Sequence, residues 1–311
     1  MTMTHQIFQR LIEEARSPNP MRVAVCHPCS DVALQGAVDA ARAQLIAPVL
    51  VGPPARIQLC ACQAGIDISP YPLVATEHSH ASAARAVALC RSGDCAALMK
   101  GSLHTDEFMR AILQADTGLR TARRVSHVFA MAVPTYPRLL LITDAAINIY
   151  PGLADKMDIV QNAIELSQAL GVAEPRVAIL SAVELVNPKI VSTLDAAALC
   201  KMADRGQIRG GVLDGPLAFD NAINAEAAAL KGIISPVAGR ADILLVPDVE
   251  SGNMLAKQLE YLANAETAGV VLGARVPVIL TSRADSAATR LASCAVAIKF
   301  ARARLAQPRV L

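Results

Sequence analysis

Val276-Pro277-Val278-Ile279-Leu280-Thr281-Ser282-Arg283-Ala284-Asp285-Ser286 is a short apolar run that ends in a hydroxyl, a guanidinium and a carboxylate. An Ala- and Leu-rich helical pattern follows, to about residue 302. Ser286 is placed to N-cap that helix, or Asp285 if the first turn begins one residue earlier. Strand, polar turn and helix form the repeating unit of open α/β sheets. In such sheets ligands lie beyond the carboxyl ends of the strands, where helix N-termini aim N–H groups at anions. Ser282 and Arg283 sit at that edge, although Ser, Arg and Asp are also ordinary turn and capping residues.

The same unit recurs through the chain. Helical periodicity over residues 4–16, 31–44, 55–65, 79–92 and 106–114 alternates with apolar runs at 22–26, 47–51 and 96–99, with a polar segment at 67–71. Short apolar runs bounded by Gly and Pro and spaced by helices predict a parallel sheet covered on both faces. Around Pro134-Thr135-Tyr136-Pro137 two apolar runs, 125–133 and 139–143, meet through a Pro-rich turn, and a domain crossover is expected there. A second α/β set follows, with strands at 139–142, 177–180, 211–213, 243–246 and 270–272, and long helices at 154–170, 190–205 and 252–265. The expected organisation is a discontinuous first domain, 1–137 plus 276–311, and an inserted second domain, 138–275. Clefts between such domains are where small ligands usually bind.

The chain has 311 residues, 53 % hydrophobic and 18 % charged, with a net charge of +2, so it is a globular protein with no bulk charge for nucleic acid or a membrane surface. An anionic ligand must be held by a local cluster of Arg and Lys. No apolar run reaches the roughly 18 residues of a membrane span, and residues 1–20 lack the apolar core of a signal peptide. Eight cysteines scattered through a long chain do not form a disulfide-stapled layout, and a cytoplasmic location is expected. Cys26-His27-Pro28-Cys29 precedes a helix, a context that can lower a thiol pKa. Cys60-Ala61-Cys62 has one residue between its thiols, too few for a zinc ribbon. These cysteines are read as incidental, and no metal is expected.

Polar constellations fall at strand ends. In the segment from Met99 to Arg110, Gly101 permits a tight turn and Thr105 can cap a helix, while Lys100, Ser102, His104 and Arg110 offer donors to an oxyanion or phosphate. Three further segments follow the same plan: Asp144 and Asn148 past residue 143, Asp214 with Asp220 past residue 213, and Asp248 with Asn253 past residue 246. Each alone is compatible with a capped loop. Four at one kind of location mark the edge where α/β proteins keep their sites. No G-x-G-x-x-G, Walker A, zinc-protease or nucleophile-elbow pattern occurs.

Together these segments resemble the phosphate acetyltransferase and phosphate butyryltransferase family. The resemblance runs through residues 100–113, Ser126-His127-Val128, 143–151, 155–163, 214–223, Ser235-Pro236-Val237-Ala238-Gly239, 242–254 and 280–286. It implies two doubly wound α/β domains with an interdomain cleft, like isocitrate and isopropylmalate dehydrogenases. It further implies transfer of an acyl group between coenzyme A and inorganic phosphate, giving acyl phosphate. Coenzyme A is then a substrate and no cofactor is needed. A cytosolic homodimer or larger homo-oligomer is also implied.

The resemblance assigns phosphate contact to Arg110 and transition-state donation to Ser282. Arg283 would hold phosphate or a coenzyme A phosphate. Lys100, Ser102, His104, Thr105, Asp144, Asn148, Asp214, Asp248 and Asn253 are candidate substrate-binding residues. In the acetyltransferase branch an acid seven residues beyond the Ser takes the thiol proton. That position is Thr289 here, which leaves Asp285 as the nearest substitute, and the local sequence 280–286 is closer to the butyryltransferase branch. The expected chemistry is direct transfer in a ternary complex, served by an anion clamp, an oxyanion donor and a proton acceptor. The alternatives are a non-catalytic coenzyme A or acyl-phosphate sensor on the same fold, and an NAD- and metal-dependent decarboxylating dehydrogenase, for which no cluster of metal-binding aspartates can be assembled.

Overall fold

The computed structural model describes residues 3–280 and 285–306. The chain divides into two compact units. One comprises Gln9–Arg123 with the chain from Ala268 onward, and the other holds Arg124–Thr267 with the start of the first helix.

In the first unit, α1 (Met3–Ala15), β1 (Met21–Cys26), α2 (Asp31–Arg42), β2 (Ile46–Gly52), α3 (Pro54–Ala64), β3 (Leu73–Ala75), α4 (Ser79–Arg91), β4 (Ala97–Lys100) and α5 (Thr105–Ile112) follow in order. Local chemistry sets their ends. Ser30 caps α2 through a bond from Ala33 N, and Gly65 closes α3 in the left-handed region at φ 64°. β1 and β4 are buried along most of their length, as strands covered on both faces must be. β3 was not foreseen, because three residues carry too little periodicity to register.

The second unit contains β5 (Ser126–Ala132), β6 (Leu139–Thr143), α6 (Leu153–Ala169), β7 (Arg176–Leu180), α7 (Val191–Asp204), β8 (Val212–Leu217), α8 (Phe219–Ile223), α9 (Ala225–Leu230), β9 (Ile243–Leu245) and α10 (Val249–Leu262). β10 (Glu266–Leu272), β11 (Val278–Ile279) and α11 (Ala287–Ala306) complete the chain. The strand order is β3-β2-β1-β4-β11-β10 in the first unit and β5-β6-β9-β7-β8 in the second. In the first unit α2 packs against α3 and α11, while α4 packs against α5 and the strands beneath it.

Three expectations change. The sheets are mixed and not purely parallel: β5 pairs antiparallel with β6, and β10 with β11. The Pro134–Pro137 turn is too short for a crossover, so it closes a hairpin and cannot join parallel strands. Both strands of that hairpin belong to the second unit, Arg124–Thr267. β8 runs on through Asp214, Gly215 and Pro216, read from sequence as a loop. It is the terminal strand of its unit, where a Pro without an N–H leaves no central ladder bond unmade.

The core is mostly apolar, with few buried ions. Met131, Leu140, Ile142, Leu244 and Val246 join one cluster of the second unit, and the buried Tyr136 hydroxyl donates to Ala241 O at 2.6 Å. Lys156 of α6 meets Asp195 of α7 at 2.6 Å with 7 % of the lysine side chain exposed. Among the described residues, no helix is long and apolar enough to cross a membrane. Removing one partner of a buried ion pair strands the other. Asp195→Ala should therefore lower unfolding free energy by about 3 kcal/mol in urea titration, and a loss within error would show that Lys156 is adequately solvated.

Candidate functional site

In the first unit the strand order reverses between β1 and β4: β2 and β3 lie to one side of β1, β4 and β11 to the other. The carboxyl ends at such a reversal form the crevice where α/β folds bind ligands. Here the loops after Cys26 and Lys100 are bonded to each other. Gly101 N donates to Cys26 O at 2.8 Å and Ser102 N donates to His27 O at 2.9 Å. Ser102 Oγ also donates to His27 O at 2.9 Å and accepts from Cys29 N at 3.0 Å. A Cβ on Gly101 would stand 2.2 Å from Cys26 O, so no other residue fits.

His27 turns the loop at φ 52°, and its Nδ1 lies 3.0 Å from Ser82 Oγ. Burial, then the nearby Arg56, lowers its pKa. Burial likewise pushes the Cys26 and Cys29 thiols up, the opposite of what a reactive pair at a helix start requires. All eight cysteines are free thiols.

Lys100 ends β4 and is buried. Ser102 spends its hydroxyl joining the two loops. The N-cap of α5 is His104, whose exposed side chain makes no capping bond. Thr105, expected to cap, is instead the first helical residue, since its backbone already lies inside the turn. Glu107, not singled out from sequence, lies 3.2 Å from His80 Nδ1 with 13 % of its side chain exposed. That contact is within ion-pair range but not aligned for hydrogen bonding, so Glu107 Oε1 remains a buried acceptor without a bond. Arg110 is exposed one turn further along and, with His80 and Glu107, lines the groove between α4 and α5. Nothing in the sequence pattern flags that grouping, because His80 and Glu107 belong to different helices.

Ser282 and Arg283 lie outside the described residues. Asp285 precedes α11 and its carbonyl accepts from Arg290 Nη1 at 2.5 Å. Ser286 caps α11 as expected: its Oγ accepts from Thr289 N at 3.1 Å and lies 3.1 Å from Thr289 Oγ1. Thr289 therefore occupies the third helical position as the partner of a cap.

In the second unit the candidates are committed to their own loops. Asp144 Oδ1 accepts from Ala146 N at 2.9 Å and Ile147 N at 3.0 Å, and Oδ2 accepts from Asn148 N at 3.3 Å. Asn148 donates to Val125 O and accepts from Arg124 Nε at 2.7 Å. Asp248 caps α10 through Ser251 N at 2.8 Å, and Asn253 Nδ2 reaches Ala145 O at 3.1 Å. These four form one neighbourhood past β6 and β9. Asp214 lies apart in β8, accepting from Gly215 N at 2.8 Å. His127, beneath Asp144, is fully buried, and burial holds its pKa down at about 4 despite the carboxylate.

The phosphate acetyl/butaryl transferase family profile matches residues 72–298. A phosphate acetyltransferase from Rhizobium meliloti is 60% identical over 96% of this chain and 95% of its own length. A phosphate butyryltransferase from Clostridium acetobutylicum is 41% identical over 93% of this chain and 96% of its own. Among solved structures, a branched-chain phosphotransacylase from Enterococcus faecalis V583 superposes with a TM-score of 0.79 at 30% identity, covering 90% of this chain and 99% of that one.

Two outcomes are expected. Gly101→Ala should cost about 2–3 kcal/mol of stability by chemical denaturation; a neutral change would mean that the two loops separate easily. The unfolded imidazole of His127 takes a proton below about 6.5 while the folded one resists to about 4. Stability should therefore be full above pH 6.5 and fall by about 1.4 kcal/mol per pH unit through that window. A His127→Leu variant whose melting temperature declines as steeply over the same window would rule this histidine out as the cause.

Proposed function

The chain belongs to the phosphate acetyl/butyryl transferase family and is a phosphate acyltransferase, and we propose that it moves a short acyl group between coenzyme A and inorganic phosphate by direct transfer. A phosphate oxygen attacks the thioester carbonyl, and the oxyanion that forms collapses with loss of the thiolate. A C–O bond replaces the C–S bond, and the sulfur takes up a proton. In the reverse direction the thiol must lose that proton before it attacks acyl phosphate.

The observation that carries the assignment of the anion clamp is Arg110. It is exposed on the second turn of α5, and among the described residues it makes no ion pair. A guanidinium left unneutralised can meet phosphate with two parallel bonds. Ser282 is assigned as oxyanion donor, Arg283 as a second anion contact and Asp285 as proton acceptor, on the family resemblance. Lys100 and His104 flank the same crevice. Ser102, Asp144, Asn148, Asp214, Asp248 and Asn253 act through the loops they hold, given how their polar atoms are spent, and Thr105 acts from the first turn of α5.

Thr289 supports the choice of Asp285 over the position seven beyond Ser282, since a hydroxyl committed to a helix cap is a poor base. We place the enzyme in the cytoplasm as a homodimer or larger homo-oligomer, which light scattering on the purified protein measures.

Purified protein should release coenzyme A from acetyl-, propionyl- or butyryl-CoA only when phosphate is present, and the ranking of rates reads the acyl preference. Arg110→Ala and Ser282→Ala should each lower kcat/KM by roughly 10²–10³-fold. Wild-type rates in either variant would remove that residue from the site.

A further inference from the structure

Arg290 lies in the first turn of α11. Side chains on a helix lean toward its N-terminus, so a long one at this position reaches the segment before the cap. Its Nη1 donates to Asp285 O at 2.5 Å. The next carbonyl, that of Ser286, accepts from Arg290 N at 3.1 Å and opens the helical ladder. Asp285 O is thus the first carbonyl left outside the ladder, and the guanidinium supplies the donor that the helix does not.

Two features around this contact run against local preference. Arg290 Nε is buried and, among the described residues, has no hydrogen-bond acceptor. A buried donor left unsatisfied costs stability. Gly36 is buried in the interior of α2, where alanine is the better helix former. Its backbone is ordinary right-handed helix, so chain conformation does not call for glycine. Room does: a Cβ at position 36 would stand 3.0 Å from Arg290 Cδ and 3.2 Å from Arg290 Nε, with Met99 Cε at 3.9 Å. Gly36 therefore lets the arginine stem pass between α2 and α11, which pack against each other. One arrangement accounts for both departures. The helix α2 lacks a side chain and Arg290 lacks one hydrogen bond, and the guanidinium reaches Asp285 O.

We propose that Arg290 is a positioning residue for acyl transfer: reaching across Gly36 to hold the Asp285 carbonyl, it fixes where the Asp285 carboxylate meets the thiol of coenzyme A. The inference rests on the assignment of Asp285 as proton acceptor and adds to it the group that sets the acceptor's place. Arg290 itself touches no substrate. The carboxylate is carried on the Cα beside the held carbonyl, so the hydrogen bond restrains the peptide rotation that would swing it away. A misplacement of about 1 Å costs about 10²-fold in rate.

The test measures kcat and KM for coenzyme A plus acetyl phosphate, together with melting temperatures, in Arg290→Ala, Arg290→Lys, Gly36→Ala, Asp285→Asn and their combinations. Arg290→Ala should lower kcat by roughly 10–10²-fold, with KM for both substrates unchanged. Arg290→Lys should restore most of that rate, because one bond to one carbonyl does not use the fork geometry that sets arginine apart. In the Asp285→Asn background Arg290→Ala should cost nothing further, since the acceptor it places is gone. Gly36→Ala should lower kcat in the otherwise wild-type chain by crowding the stem. Added to Arg290→Ala, where the stem is absent, it should leave the rate alone and raise the melting temperature through helix propensity.

Wild-type kcat in Arg290→Ala, beside a slow Asp285→Asn, would overturn the positioning role and leave the proton acceptor in place. Equal losses from Arg290→Ala with and without Asp285→Asn would overturn the route through Asp285. A Gly36→Ala loss that persists undiminished in Arg290→Ala would overturn the contact across α2. Wild-type rates in Asp285→Asn would remove Asp285 from the chemistry, and the inference with it. If Arg290→Ala does not fold, Gly36→Ala decides: wild-type kcat there would overturn the proposal, and a loss relieved by Arg290→Lys would sustain it.

Discussion

Two carbonyl oxygens, those of Cys26 and His27, receive the amides of Gly101 and Ser102 across the point where the strand order of the first unit reverses. The contact is possible only because position 101 carries no side chain. From it follow the direction in which the chain leaves β4, the start of α5 at Thr105 and the azimuth of that helix. Glu107 and Arg110 face α4 because α5 begins there and turns as it does. Ser102 reinforces the contact with its hydroxyl, and the left-handed His27 is steadied by Ser82, which in turn donates to His78 O at 2.9 Å. A backbone-to-backbone bond thus sets the position of side chains several residues away and gives the loop a rigid base.

The second unit uses its polar residues differently. Around Asp144 almost every lone pair of the carboxylate is engaged by amides of the same loop, and Asn148 and Asn253 join that loop to neighbouring segments. Gly252 lets α10 approach closely, since a Cβ there would sit 3.0 Å from Asp144 O. Such saturated groups stabilise a shape and have little left to offer a ligand. Arg110 is the reverse, cationic and exposed. Within one chain, then, similar-looking polar clusters at strand ends divide into those that hold loops and those left open to solvent. The distinction is visible only in which atoms are already bonded.

The alternation of apolar runs and helical periodicity was enough to identify an α/β protein, because each signal lies within one element and reflects which face it buries. Ser286 as a helix cap was legible for the same reason: hydroxyl and amide are three residues apart. The family resemblance rested on several short segments that carry chemistry, and the likeness to phosphate acyltransferases extends over nearly the whole chain.

What sequence could not supply are the features that depend on partners far along the chain. The β5–β6 hairpin, the extension of β8 through Gly215 and Pro216, and the short strand β3 exist because of the strands beside them. Thr105 looks like a cap until the backbone shows that the helix has already begun. Which amides Asp144 and Asp248 accept from is likewise seen only in the folded loop. Sequence by itself determined the class of fold, the long helices and the family, since these are written in local periodicity and short motifs. Tertiary structure alone decided antiparallel pairing and the meeting of His80 with Glu107, because these require residues separated in sequence to come within a few ångströms.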